Sequence, residues 1–161
     1  MKKIFTLFAA CLVLAASAAL TSCRSSISDE DVKNAIIEES KSINKTAGSL
    51  DYSNGVGVGI WNVSLQEKSW VYTILVEIDM SKVDEESQME IRTAFKNGAS
   101  TAVDAISESM KDATFVKSTP AKLFFEAMDE HGYDILYRYI DVKQEEIASV
   151  RIPVSMILER I

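Results

Sequence analysis

Few residues in this chain have the chemistry that catalysis draws on. His131 is the one histidine in 161 residues, and imidazole is the usual acid–base group near neutral pH. It stands in Glu130-His131-Gly132, where a helix end collects a cation-capable side chain and a terminating glycine, so its first reading is a helix stop. A hydrolase would need folding to bring a carboxylate and a serine beside it, and no G-x-S-x-G elbow marks such a serine. No catalytic residue is therefore assigned. One histidine without a second ligand at i, i+4 gives no zinc site, and Asp84-Glu85-Glu86 lacks the spaced ligands and glycine of a calcium loop, which leaves a solvated helix start. Gly55-Val56-Gly57-Val58-Gly59 places glycine at every second position, in neither of the orders that cradle phosphates. No metal and no cofactor are expected.

The two cysteines, Cys11 and Cys23, belong to the N-terminus. Lys2 and Lys3 precede an apolar run from Ile4 through Leu14 and a row of alanines, with no charge before Arg24. A basic start followed by an apolar stretch and small residues is a secretory signal, removed from the mature protein. Leu20-Thr21-Ser22-Cys23 resembles the lipobox of bacterial lipoproteins. The resemblance implies that residues 1 to 22 are removed, that Cys23 becomes the new N-terminus and that it carries the diacyl anchor, palmitate among the acyl groups. A membrane-spanning helix is the competing reading, since about 20 apolar residues cross a bilayer; the small residues just before Cys23 favour cleavage. The lipoprotein resemblance also implies that Arg24, where an aspartate would retain the protein at the inner membrane, favours the outer membrane.

Cleavage leaves 139 residues, the size of one domain. Lys2 and Lys3 leave with the signal, so 15 basic residues face 24 acidic ones and the formal charge is −9. Such a surface excludes nucleic acid and an electrostatic grip on anionic lipid. With Cys11 discarded and Cys23 acylated, no thiol remains for a disulfide, and stability must come from ordinary burial.

Residues 23 to 28 read as a lipidated tether and 29 to 161 as a single α+β domain. Ser28 and Asp31 make a capping-box pattern, and Val32, Ile36, Glu39 and Ile43 recur at helical spacing, predicting a helix over 29–43. The stretch 44–59, with Gly48, Gly55, Gly57 and Gly59, reads as a loop leading into a strand. Trp61, Val63 and Leu65 alternate with polar residues as in a half-buried strand. In 69–79 both alternating sets are apolar near the middle, which predicts a central strand joined to the first by a tight antiparallel turn. Ile91, Phe95, Ala99, Ala102, Ile106 and Met110 form one stripe of a long helix, with Gly98 as a weak point. Thr119-Pro120 reads as N-cap and first turn of a shorter helix ending at His131-Gly132. Two last strands follow, 133–140 and 148–156, the second an edge or ending at Pro153, which cannot donate to a ladder. The order α-ββ-αα-ββ predicts an antiparallel sheet of two hairpins with about three helices packed on it.

Ile43-Asn44-Lys45 before a loop and hairpin, and Gly132-Tyr133-x-Ile135-x-Tyr137-Arg138-Tyr139-x-Asp141 before a second hairpin, resemble a family of small bacterial envelope proteins of unknown function. The likeness spans about residues 29 to 156. It departs at Lys143-Gln144-Glu145, where a glycine turn is expected, and it supplies no functional residues.

Trp61, Trp70, Tyr72, Tyr133, Tyr137 and Tyr139 are concentrated in strands. A sheet covered on one face could leave some of these rings on the other, and Trp70, Tyr72, Tyr137 and Tyr139 are the candidate binding surface; the competing reading makes them core and cross-strand pairs. The expectation is a lipid-anchored, non-catalytic binding or accessory domain of the cell envelope, tethered through Cys23 and meeting an envelope protein partner. The alternatives are an envelope hydrolase using His131 and an inhibitor or immunity-like protein that blocks an envelope enzyme.

Overall fold

A computed structural model describes residues 27–53, 55–112 and 120–160. Its first helix, α1 (Asp29–Asn44), starts as the sequence predicts. The Ser28 hydroxyl accepts from the Asp31 amide and the Asp31 carboxylate accepts from the Ser28 amide, closing a capping box with aspartate in the usual glutamate position. Three acidic residues occupy the first turn, where the helix dipole favours them. The helix turns Val32, Ile36, Glu39 and Ser40 inward.

The stretch read as a loop contains a short strand, β1 (Asp51–Ser53), paired antiparallel with the start of β2 (Val56–Gln66). Two of its glycines, Gly57 and Gly59, are there for close approach, and Gly48 and Gly55 for positive φ. A Cβ on Gly59 would sit 2.1 Å from the Ser49 carbonyl oxygen, and one on Gly57 would sit 2.7 Å from the Glu77 carboxylate. Gly57 and Gly59 therefore report chain crossing chain.

Strand β3 (Ser69–Val76) pairs antiparallel with β2 around a turn in which Glu67 has φ 54. After one 3-10 turn (Met80–Lys82) come α2 (Glu85–Asp112) and α3 (Pro120–Glu130). Ile91 and Phe95 of the predicted stripe pack on the core. The side chains of Ala99, Ala102, Ile106 and Met110, and the expected N-cap Thr119, lie outside the described residues. Helix α3 ends at Gly132 with φ 73, the left-handed stop expected of it. Strands β4 (Asp134–Ile140) and β5 (Glu146–Pro153) then form the second hairpin.

The sheet runs β1-β2-β3-β4-β5, so β3 is central and β5 is an edge. The architecture is α+β and mostly antiparallel, with one difference from the expected sheet. The hairpins join through a parallel pair, Ser69 opposite Asp134 and Leu75 opposite Ile140. Strand periodicity reports faces but not direction. The chain between Val76 and Asp134 carries the helices and returns to the end where β3 began, as a parallel connection requires. The last strand also stops earlier than its alternation suggests: Pro153 closes it, and Val154–Leu158 turns as α4.

One sheet face carries Val63, Trp70, Tyr72, Ile74, Ile135, Tyr137, Tyr139, Val150 and Ile152 in register. It packs with Val32 and Ile36 of α1, Phe124 and Met128 of α3 and Ile157 of α4 in a single core. The open side of β2 is sealed by a side chain. Asn44 donates to the Val63 carbonyl at 2.8 Å and accepts from the Val63 amide at 2.7 Å, and Gly48 donates to the Ile60 carbonyl. Asn44 thus takes the hydrogen bonds a further strand would have taken.

Candidate functional site

The four rings expected to form a binding surface are inside. Trp70 is 1 % exposed, Tyr72 2 %, Tyr137 3 % and Tyr139 4 %. Their register puts all four on the helix-covered face, which corrects the expectation: these rings are core. Trp70 and Tyr72 meet with centroids 5.3 Å apart, Tyr72 and Tyr137 at 5.5 Å, and Tyr139 stacks with Phe95 of α2 at 4.5 Å. The Trp70 indole donates to the Ser40 hydroxyl at 3.1 Å, which itself donates to the Ile36 carbonyl. Burial pushes the Tyr139 phenol well above its ordinary range.

Trp61 behaves differently, at 47 % exposure. A β-bulge between Ile60 and Asn62 leaves it as the extra residue and breaks the alternation that grouped it with Val63 and Leu65. Tyr52 on β1 is also exposed.

His131 stands at the end of α3, half-buried. Its Nε2 donates to the Ile27 carbonyl at 2.9 Å, which fixes the point where the preceding chain meets the domain. Next to it the Asp29 carboxylate pairs with Lys68 of the β2–β3 turn, and the Lys68 ammonium lies 4.2 Å from the centre of the Tyr133 ring. The Lys68 ammonium first, and then the Tyr133 hydroxyl, hold the Asp29 carboxyl below its ordinary range. Each group here is engaged in tying α1, the β2–β3 turn and the end of α3 together. Cys23 itself lies outside the described residues.

The far end of the sheet is tied in the same way. Asp141 is fully buried and accepts from the amides of Met80, Lys143 and Glu145, joining the β4–β5 turn to the chain after β3. Gln144 sits at φ 64, the conformation in which the resembling family is expected to carry glycine. Asp79 accepts from the Ser81 amide and hydroxyl and faces Lys82 and Lys143, and these, the Ser81 bond foremost, lower its pKa strongly. Among the described residues no group of three His, Cys, Asp or Glu side chains could hold a metal ion. The acidic run Asp84-Glu85-Glu86 starts a helix, with Asp84 accepting from the Ser87 amide.

What remains is the second sheet face. Val71, Thr73 and Leu75 of β3, Leu136 and Arg138 of β4, and Ser149 and Arg151 of β5 alternate with the core rings and point the other way. Val71 is fully buried, Thr73, Leu75, Leu136 and Arg138 are half-buried, and Ser149 and Arg151 are exposed. Arg138 lies between Gln66 at 3.4 Å and Glu146 at 3.6 Å, and Arg151 pairs with Asp134. This face is a mixed aliphatic and charged surface. The apolar second set of β3, which marks its central position in the sequence, is also the signal for this face.

No family profile and no curated protein matches the chain. Its fold is similar to a crystal structure from Pseudomonas aeruginosa, that of a protein named as secreted by inference, with TM-score 0.51 and 11 % identity, covering 83 % of this chain and 99 % of the other. At that identity the likeness is one of fold. No helix among the described residues is long and apolar enough to cross a membrane.

Proposed function

We propose that this chain is a lipid-anchored, non-catalytic accessory domain of the bacterial envelope, held by acylated Cys23 in the outer membrane and working by presenting its second sheet face to an envelope protein. The observation that carries this reading is the composition of the sheet's second face: Leu75 and Leu136 stand half-buried among Thr73, Arg138 and Arg151, on the face opposite the packed rings. The name of the fold neighbour is compatible with an envelope or extracellular setting.

Two measurements test it. Cys23→Ser should move the protein out of the membrane fraction, because each buried acyl methylene contributes about 0.8 kcal/mol and an acidic domain has no other hold on a bilayer. A photoreactive residue at Ser149 should form one discrete adduct with an envelope protein in cells, whereas the same residue at exposed Lys96 on α2 should not. Retention of the Cys23→Ser protein in washed membranes would refute the anchor, and adducts from Lys96 alone would refute the face.

A further inference from the structure

Four peptide steps separate Cys23 from Ile27, and Ile27 is not a free end. It packs against the core, and its carbonyl accepts from His131 at 2.9 Å. Asp29, two residues on, is bound to Lys68 in the β2–β3 turn, and the Lys68 carbonyl accepts from the Asp134 amide at 3.0 Å. One end of the sheet therefore holds the start of α1, the β2–β3 turn and the beginning of β4 in a single knot. The chain from Ile78 to Val83 and the β4–β5 turn lie at the other end, joined by Asp141 and by the bond from the Val142 amide to the Ile78 carbonyl at 3.1 Å.

Two lengths decide what this geometry allows. Fully extended, the four steps from Cys23 reach about 14 Å, at up to ~3.6 Å per residue. The eight residues of β3 separate the two ends by about 25 Å, at ~3.3 Å per residue. Resting on the anchor reading above, we propose that the domain stands on the bilayer in one polarity: the end with Glu30, the Glu67–Lys68 turn and His131 faces the lipid headgroups, and the end with Lys82 and the 142–145 turn faces away. The domain can lean on so short a tether but cannot invert. The headgroup-facing end carries Asp29, Glu30, Asp31 and Glu67 against Lys33 and Lys68, with Lys33 paired to Glu30 and Lys68 to Asp29. It is suited to a zwitterionic lipid surface, with the tether and not charge attraction holding it there.

Labelling can read this directly, since Cys23 is acylated and no other thiol remains in the mature chain. The acylated full chain carrying Glu30→Cys or Lys82→Cys, positions whose side chains are 68 % and 81 % exposed, would be given a fluorophore and reconstituted in phosphatidylcholine vesicles. Headgroup-spin-labelled lipid should quench the Glu30 label several-fold more than the Lys82 label. Equal quenching, or stronger quenching at Lys82, in protein that floats with the vesicles overturns the polarity while leaving the anchor standing. Protein that fails to float overturns the anchor and the polarity with it.

Discussion

Glu39 is the side chain that α1 gives up most to bury. It is 9 % exposed, and its Oε1 has no hydrogen-bond partner. Burial raises its carboxyl above the ordinary value of 4.5. A carboxyl with a raised folded-state pKa binds its proton more tightly in the native protein. Folding is therefore indifferent to it below that ordinary value, loses stability as pH rises toward the folded pKa, and bears the whole cost above it. Glu39→Gln should melt at a higher temperature than the parent at pH 7 to 8, with the gap closing as the pH falls below about 4. Thermal melts that differ by a constant amount at every pH would show that ionisation is not the cause. Asp141, more deeply buried, differs in that three backbone amides meet its oxygens. Helical spacing makes the inward turn of Glu39 legible in the sequence, whereas Asp141 is legible only as an acid, because its amide partners include Met80, 61 residues away.

At the scale of elements, most of the fold follows from local pattern. The capping box, the two-sided apolar centre of β3 and the stop at Gly132 are dictated by neighbours within a few residues, so spacing is enough to find them. Trp61 escaped because a bulge adds one residue to β2, and period-two counting cannot register an insertion. The four aromatic residues were legible as strand residues, but which face the helices cover is settled by the whole sheet. Asn44 shows what an element edge requires. With its two bonds to Val63 at 2.7 and 2.8 Å, Asn44→Ala should cost about 2 kcal/mol, the penalty of leaving a part-buried amide and carbonyl unmet. It would also uncover a strand edge, so the variant should self-associate as protein concentration rises, read by sedimentation, as edges pair between molecules. A variant as stable as the parent and indifferent to concentration would mean that water replaces the side chain without loss.

For the molecule as a whole, the parallel pair between β3 and β4 is, among the described residues, the one direct strand contact between the two halves of the sheet. Each hairpin closes locally, but Trp70 and Ile74 find Ile135 and Tyr139 only across the entire helical crossover. Contacts of such sequence separation slow folding into the range of milliseconds to seconds. In a Trp61→Phe background Trp70 is the sole tryptophan. A chain ending at Gly132 should then show red-shifted, solvent-exposed Trp70 emission and no cooperative melt; a buried spectrum would show that β2, β3 and the helices suffice. Time of synthesis makes the consequence concrete. The nascent chain emits β3 early, with its bonding edge bare, and that edge waits through the translation of α2 and α3 for a partner that begins only at Asp134, at roughly 5–20 residues per second. During those seconds the protein is most open to aggregation and has most use for a holding chaperone.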